Sequence, residues 1–413
     1  MLHPRIIQLY NLYKSSFSGL SKEIWLLALI TLINRAGTMV LPFLSVYLTK
    51  ELHFSYTDAS YVLAAAGLGG VAGTWIGGKL TDQIGYFKTM FWSLAAVGVF
   101  FFFLLFAKTF PQLIVGIFLT NMVGDIFRPA SLTAIYAYSK PENNTRSLSL
   151  IRLAINLGFA AGPFTAGLLA FYYGYDWLFI LDGLTCIVAA FAFLFLLSEK
   201  EVATQQEKDA IRETQGVRSP LEDKSYVIFL VSMFFTSIAF MQLFYTLPVF
   251  LKEEYLLTED MIGALLSMNG LLIAIFEMPI IFVLEPKYSK LKLIALALLL
   301  MAFSFLIFNI LPIWIGVPII SMLIITVAEI IDFPFANTWA IDRSNVLNRG
   351  QYMGYYTMSF SVGTIFAPLL GLQIAESFGF TALWYLATFF CLLAFGLVYY
   401  LLSKEKPVLQ VST

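Results

Sequence analysis

Charge is what this chain has least of. Only 12% of its 413 residues are Asp, Glu, Lys or Arg, about half the share of a soluble protein. Hydrophobic residues make up 59%, and so few charges leave a water-soluble fold too little polar surface to cover them. The same figures exclude disorder. A net charge of −1 creates no field that would draw the chain to nucleic acid. Two cysteines exclude a disulfide-stapled scaffold, and Cys186 and Cys391 read as packing residues. The two histidines, His3 near the chain start and His53 in a loop, give no basis for a metal site or a buried imidazole relay. No Gly-x-x-x-x-Gly-Lys-Ser/Thr loop is present to cradle ATP phosphates. No serine, cysteine or histidine constellation suits hydrolysis. The chain reads as no enzyme, with no cofactor and no metal.

What is present is apolar length. A helix needs about 20 apolar residues to cross the hydrocarbon core. Twelve such runs occur, at 23–49, 58–80, 89–107, 111–138, 147–172, 177–198, 225–251, 260–284, 292–310, 313–341, 351–375 and 381–402. The expected fold is an all-α polytopic membrane protein of twelve transmembrane helices, because helices satisfy every backbone group within lipid. Residues 1–22 show no short apolar core before a small-residue cleavage site. They are expected to remain as a leader, lying on the membrane surface or solvated.

Lysine and arginine give the orientation. With the N-terminus inside, nineteen of the 25 basic residues fall on the inner side and three, Lys50, Lys108 and Lys252, on the outer side. Arg35, Arg128 and Arg152 lie within or at the edge of spans. The expectation is a plasma-membrane protein with both termini in the cytoplasm.

The chain is also doubled. Gly67 and Asp82 match Gly270 and Glu285 at an offset of 203, and Asp125 matches Glu329 at 204. Pro129 matches Pro334 at 205, and Gly158, Pro163 and Gly174 match Gly363, Pro368 and Gly379 at the same offset. Pro42 matches Pro248 at 206. The expected organisation is a leader (1–22), a six-helix bundle (23–198), a charged cytoplasmic linker (199–224), a second bundle (225–402) and a tail (403–413). In transporters with parallel repeats the site lies between the halves near the midplane.

The loop Gly78-Lys79-Leu80-Thr81-Asp82-Gln83-Ile84-Gly85 resembles the signature loop of the Major Facilitator Superfamily. Glycines 78 and 85 make a tight helix junction, and Asp82 can face a helix N-terminus or an arginine. Gln83 and Tyr86 stand where that family usually carries basic residues, which weakens a charge relay but not the turn. Span five, with Gly158, Gly162, Pro163 and Gly167, is similar to the glycine-proline motif of the superfamily's antiporter branches. Small residues at this spacing allow close helix contact, and proline allows a bend. The resemblance covers the whole chain, is strongest to twelve-span drug/proton antiporters, and implies two pseudo-symmetric six-helix bundles that rock about a cavity. In span one, proton-coupled oligopeptide transporters carry two glutamates and an arginine. Here Thr31 and Asn34 occupy the acid positions and only Arg35 remains, which makes peptide symport the alternative.

A charge at bilayer depth costs several kcal/mol and persists mostly where it serves a partner or a wet cavity. Asp125 and Arg128, three residues apart on span four, read as an ion pair whose protonation could gate the cavity. Glu329 and Asp332 repeat the spacing in span ten, with no basic residue deep in spans seven to twelve. Arg35 or Arg128 could reach them across the cavity. Glu277 has no partner nearby in the sequence, and Arg152 suits packing or a gate contact. Asp182 in span six reads as a shallower charge. The proton-coupling set is therefore Asp125, Arg128, Glu277, Glu329 and Asp332. The expected cavity lining is Asn34, Arg35, Asn121, Gln242, Tyr245, Asn269, Asn337 and Trp339. The expected switch is Gly78, Asp82 and Gly85 with Gly158, Gly162, Pro163 and Gly167.

Together these readings point to a proton-coupled exporter of small amphipathic organic compounds, working as a monomer in the lipid bilayer. Its partners would be a small-molecule substrate and protons, not nucleic acid. Symport of a peptide or nutrient is one alternative, and a non-transporting receptor or scaffold is another.

Overall fold

The computed structural model describes residues 19–140, 143–200, 219–344 and 349–404. Most of the expected leader and linker lies outside them. Among the described residues eleven helices are long and apolar enough to cross a membrane. The last, Arg349–Lys404, is two spans joined at Gly379, whose φ of 81° interrupts the helix. That makes twelve spans, and no strand occurs among the described residues. Span one is Lys22–Ala36 continued by Val40–Val46, span two Tyr56–Ile84 and span three Tyr86–Leu104. Span four is Phe110–Asp125 with Phe127–Tyr138, span five Asn144–Tyr173 and span six Asp176–Leu196. Span seven is Lys224–Phe240 with Gln242–Tyr245 and Leu247–Glu253, and span eight is Glu259–Leu284. Span nine is Lys290–Ile310 and span ten Gly316–Asp342. Spans eleven and twelve lie either side of Gly379.

The repeat is visible in backbone detail. Gly174 (φ 91°) and Gly379 (φ 81°) turn span five into six and span eleven into twelve. Both use the left-handed region that glycine enters at no steric cost. The first span of each half is broken: span one between Ala36 and Val40, span seven between Phe240 and Leu247. Pro42 and Pro248 sit in the first turn of the resumed helices, where a missing N–H is not needed.

A resumed helix inside a bundle leaves N–H groups that water cannot reach. In the first half Asp182 accepts them, from Met39 N at 3.1 Å and Val40 N at 2.9 Å. Asp182, six residues into span six, is therefore a buried cap on span one. In the second half Gln242 bridges the break, donating to the carbonyls of Ile238 at 3.0 Å and Ala367 at 2.9 Å and accepting from the Thr246 hydroxyl. Asp182→Ala should leave two buried donors without an acceptor and cost about 2 kcal/mol; Asp182→Asn should cost less. Melting curves in detergent check this, and identical midpoints for all three proteins would mean that water serves the break equally well.

The core is unevenly divided between the two faces of the protein. The terminal face carries Lys22, Ile84, Lys224 and Lys404; the far face carries the opposite helix ends. Toward the far face one apolar cluster draws on both halves, with Phe43, Tyr47 and Phe179 from the first and Phe250, Phe305 and Trp384 from the second. Toward the terminal face each half has its own cluster, Ile24, Leu27 and Phe193 in one, Tyr226, Phe229 and Trp339 in the other. Span five packs along span eight and span two along span eleven. The second contact runs from Thr57 with Glu376, through Gln373 donating to Ser60 at 3.1 Å, to Gly67 against Ile365. Beyond it the helices part, and Gly78 and Gly354 face open space. Between spans two and eleven the halves are joined on the far side and separate on the terminal side.

One clamp secures the terminal end of the second half. Asp223 caps span seven, accepting from Tyr226 N at 3.2 Å, and takes the Arg343 guanidinium at 2.7 and 2.9 Å. Burial pushes this carboxyl up, but the Arg343 bonds and the backbone N–H outweigh it and hold it below the ordinary carboxylate range. The clamp is therefore fully present at neutral pH and is lost as pH falls through that lowered value.

Candidate functional site

Three deep charges share one level. Arg35 stands thirteen residues inward from Lys22, Asp125 thirteen from Tyr138 and Glu329 thirteen from Asp342. At ~1.5 Å per residue each lies about 20 Å from the terminal face. Arg128 Nε donates to Asp125 Oδ1 at 2.8 Å, and the Arg128 side chain stays 52% exposed. Arg128 lies within electrostatic reach of Arg35 on span one and of Tyr245 on span seven. A half-exposed arginine facing both halves marks a wet cleft between them, not lipid. Gly70 makes room for the pair: a Cβ there would meet Asp125 Oδ2 at 2.5 Å. The Arg35 side chain makes no hydrogen bond or ion pair among the described residues, although Asp125 as well as Arg128 lies within its electrostatic reach. Its buried Nε donates to nothing, and its guanidinium lies 6.0 Å from the Phe159 ring.

The acids of the second half are separated by the fold. Glu277, without a partner in its own sequence neighbourhood, gains one from the other half: Arg152 reaches its Oε1 at 2.9 Å, and Asn156 donates to its Oε2 at 3.4 Å. The crossing residue is thus Arg152, not Arg35 or Arg128. The reason is backbone proximity. Spans five and eight meet at Gly270, where a Cβ would lie 2.8 Å from Ala160 N, and this delivers Arg152 to Glu277. Glu329 accepts from Asn269 Nδ2 at 3.0 Å, which also contacts Thr326 Oγ1 at 3.0 Å. Asp332 is fully buried, and neither of its oxygens has a partner among the described residues. Its neighbours include the carboxylate of Glu329 and the neutral side chains of Tyr356 and Cys391. It lies within the second half, off the cleft.

Polar contacts across the far face join the halves. Lys50 of the first half pairs with Glu253 of the second, while Lys108 pairs with Asp176 at 3.0 Å within the first and Lys252 with Glu259 at 2.8 Å within the second, so every lysine on this face has an acid. The Tyr175 hydroxyl donates to Glu259 at 2.8 Å. Glu376 caps span two from the opposite half, accepting from Tyr56 N at 3.2 Å and Thr57 N at 2.9 Å. Sequence reasoning missed these contacts. Their one signal is scarcity: where so few charges stand on one face, each tends to serve a pair.

The other sequence-derived residues are scattered. Asn34 donates to Cys186 Sγ at 3.4 Å and Asn121 to the Ile117 carbonyl at 2.8 Å. Tyr245 is buried in the shared apolar core, within electrostatic reach of Asp125 and Arg128, and Asn337 is half-buried. Trp339 lies in the terminal-side core of the second half, under Arg343 at 4.8 Å. Gln242 is committed to its helix break. Asp82 is exposed and has no bonded partner among the described residues, while Gly85 turns the chain at φ 84°. Gly158 and Gly162 press on the break in span one, and Gly167 approaches Asp260 of span eight, with Pro163 between them.

Twelve spans, a doubled backbone and a cleft between halves constitute a transporter architecture. A family model described as Major Facilitator Superfamily matches residues 24–345 and again 229–413. The chain belongs to the Major Facilitator Superfamily. It is a multi-pass membrane transporter of small substrates and not an enzyme. Among superfamily relatives, a protein of Planococcus maritimus named "Na(+), Li(+), K(+)/H(+) antiporter" is 26% identical over 84% of this chain and 88% of its own length. The uncharacterized MFS-type transporter YttB of Bacillus subtilis is 24% identical over 85% and 88%. Among solved superfamily structures, a peptide transporter POT in complex with sulfate aligns with a TM-score of 0.76, 16% identity, and coverage of 93% and 96%. The nucleoside transporter NupG aligns with a TM-score of 0.72, 15% identity, and coverage of 93% and 100%. At such identities these structures share the fold alone.

Proposed function

We propose that this superfamily member is a proton-coupled exporter of small amphipathic organic compounds, with both termini in the cytoplasm. The moving bodies are residues 23–198 and 225–402. The observation that carries the reading is the Arg152–Glu277 pair. It is the charged contact that crosses between the halves from the cleft, where the terminal face is otherwise open. Protonating Glu277 removes the charge that holds Arg152, and that loosens one half from the other. Glu329 and Asp332 are further carboxylates without a cationic partner, able to take a proton as the cleft changes sides. In the arrangement described, the cleft faces the cytoplasm and the far face is shut.

The test is flux into liposomes carrying an interior pH dye, with an imposed proton gradient and a panel of lipophilic cations, short peptides and alkali cations. Proton movement opposite to a lipophilic cation is the expected result. Movement in the same direction as a peptide would replace the proposal with symport. Exchange with sodium, lithium or potassium alone would favour the activity in the Planococcus relative's name. A scaffold without transport is disfavoured by the half-exposed Arg128 and the unpartnered Asp332.

The signature loop gives a second test. Spans two and eleven run antiparallel with Thr57 at Glu376 and Gly67 at Ile365. Extending that register to the terminal face sets Gly78 opposite Gly354 and Asp82 opposite Gln351. We expect Asp82 to face the start of span eleven when the terminal face closes, where its charge meets helix N–H groups. Asp82→Asn should slow switching several-fold with little change in substrate affinity. Stopped-flow exchange that runs at the wild-type rate would leave this loop a turn and nothing more.

A further inference from the structure

We infer that Asp182 of span six couples protons to the far-face seal, gripping the broken backbone of span one when ionised and releasing it when protonated. The inference deepens the transport reading and rests on it for its consequence. It adds a coupling group that touches neither the cargo nor the Arg152–Glu277 contact.

The two halves hold their breaks by different chemistry. In the second half the bridge is Gln242, an amide that carries no charge. In the first half the same task falls to a carboxyl, 4% exposed, each of whose oxygens accepts one backbone N–H. One hinge of the repeat is thus titratable and the other is not. Two N–H groups need two acceptor oxygens, and the ionised carboxyl supplies both. Protonation turns one oxygen into a hydroxyl, which sets a donor against a donor. The arrangement described therefore suits the ionised group, and a proton loosens the break.

Nothing charged holds Asp182 in one form. It makes no ion pair among the described residues, and its two hydrogen bonds come from neutral backbone. On its own helix it faces the Cys186 thiol, which takes the Asn34 amide. Span one brings Arg35, which ends the helix before the break and lies within reach of Cys186. Span five brings Gly158 and Gly162 to the break, and span three brings Gly98 and Phe102 to Gly183; none of these titrates.

The gripped segment belongs to the seal. Val40–Val46 packs against Gln242–Tyr245 and Leu247–Glu253 of span seven. The turn that follows it, Tyr47–Glu51, carries Lys50 to Glu253. Asp182 stands six residues into span six, about 9 Å beneath the far face. When the segment leaves span seven, the break opens to outer water and a proton reaches the carboxyl from outside. A proton that binds the far-face-open form better shifts the carrier toward that form. By the same linkage the carrier sheds the proton as the seal re-forms.

Asp182 acts through the backbone of span one and is a positioning residue, so the readout is a pH profile. Spin labels at Phe106→Cys and Leu256→Cys, exposed far-face positions of opposite halves, report the seal in the purified full-length protein in detergent. Neither cargo nor gradient is present, and mildly alkaline buffer is compared with mildly acidic. Acid should raise the ratio of open to closed far faces in the wild type about fivefold. Asp182→Asn should abolish that response, as should Asp182→Ser, which keeps an acceptor oxygen but cannot ionise. Asp182→Glu should retain part of it. The seal acids Glu253, Glu259 and Glu376 also meet the acid buffer. A response that survives in Asp182→Asn and Asp182→Ser would belong to them and overturn the proposal, and a wild type that does not respond overturns it too. Glu277→Gln should leave the response in place. A response lost in Glu277→Gln and kept in Asp182→Asn would sustain the Arg152–Glu277 switch and sink Asp182. A response that depends on Asp182 alongside failed proton flux would sink the export reading and leave the hinge assignment standing.

Discussion

Gly270→Leu should reduce transport more than a hundredfold while each half still folds. At Gly270 a single Cβ would stand 2.8 Å from Ala160 N and 3.0 Å from its Cα. Backbone cannot yield as a side-chain tip can, and leucine adds three more heavy atoms. The clash lies between the halves, across spans five and eight, and touches neither terminal-side core. The halves are therefore forced apart at mid-depth, beneath the far-face closure, and the arrangement described here loses population. Gly270→Ala should show the same defect more weakly. Spin labels at Phe106→Cys and Leu256→Cys, on exposed far-face positions of opposite halves, report the separation, since Cys186 and Cys391 are buried. An unchanged label distance together with retained transport would show that this contact does not control closure.

The second large effect is an asymmetry within one ion pair. Glu277 is 8% exposed at its side chain and Arg152 is 41% exposed. Arg152→Gln strands a carboxylate that water barely reaches and should cost ~2 kcal/mol of stability. Glu277→Gln strands an arginine that can hydrate, and should cost about 1 kcal/mol or less. The double variant should recover most of the loss, because neither charge is then left alone. All three should lose gradient-driven transport. Thermal melts measure the first part and liposome flux the second. Equal destabilisation by the two single changes would mean that the pair is as wet on one side as on the other. Full transport in Glu277→Gln would remove Glu277 from the coupling set.

How much of this was legible depends on the range of the interaction. The spans could be read because a helix in lipid is as long as its apolar run, and the corners at Gly174 and Gly379 because a repeat copies its turns. Asp125–Arg128 could be read because three residues along a helix fixes the distance. Arg152–Glu277 could not, since its partners are on different halves and meet only through the backbone approach at Gly270. The break in span one was hidden because the run through Leu41 and Phe43 stays apolar across it, and its marks are Pro42 in the resumed first turn and an acid in span six. Trp339 and Gln242 show the remaining gap: a polar or aromatic residue in a span announces its depth but not the face it occupies. Only the packing puts Trp339 in the terminal-side core of the second half and Tyr245 in the far-side core shared by both halves.

The far-face seal sets a ceiling on its own strength. For a carrier turned by an ion gradient, one pH unit supplies about 1.4 kcal/mol per proton, and 100 mV adds about 2.3 kcal/mol per charge. A closure held by much more than this would outlast the gradient and trap the carrier on one side. The polar part of the seal is correspondingly feeble. Glu376 meets Thr57 at an exposed site, and Lys50 and Glu253 are 38% and 27% exposed at their side chains. Water screens each such contact to about 1 kcal/mol or less. Strengthening any of them with a buried substitute would make a more stable protein and a slower carrier.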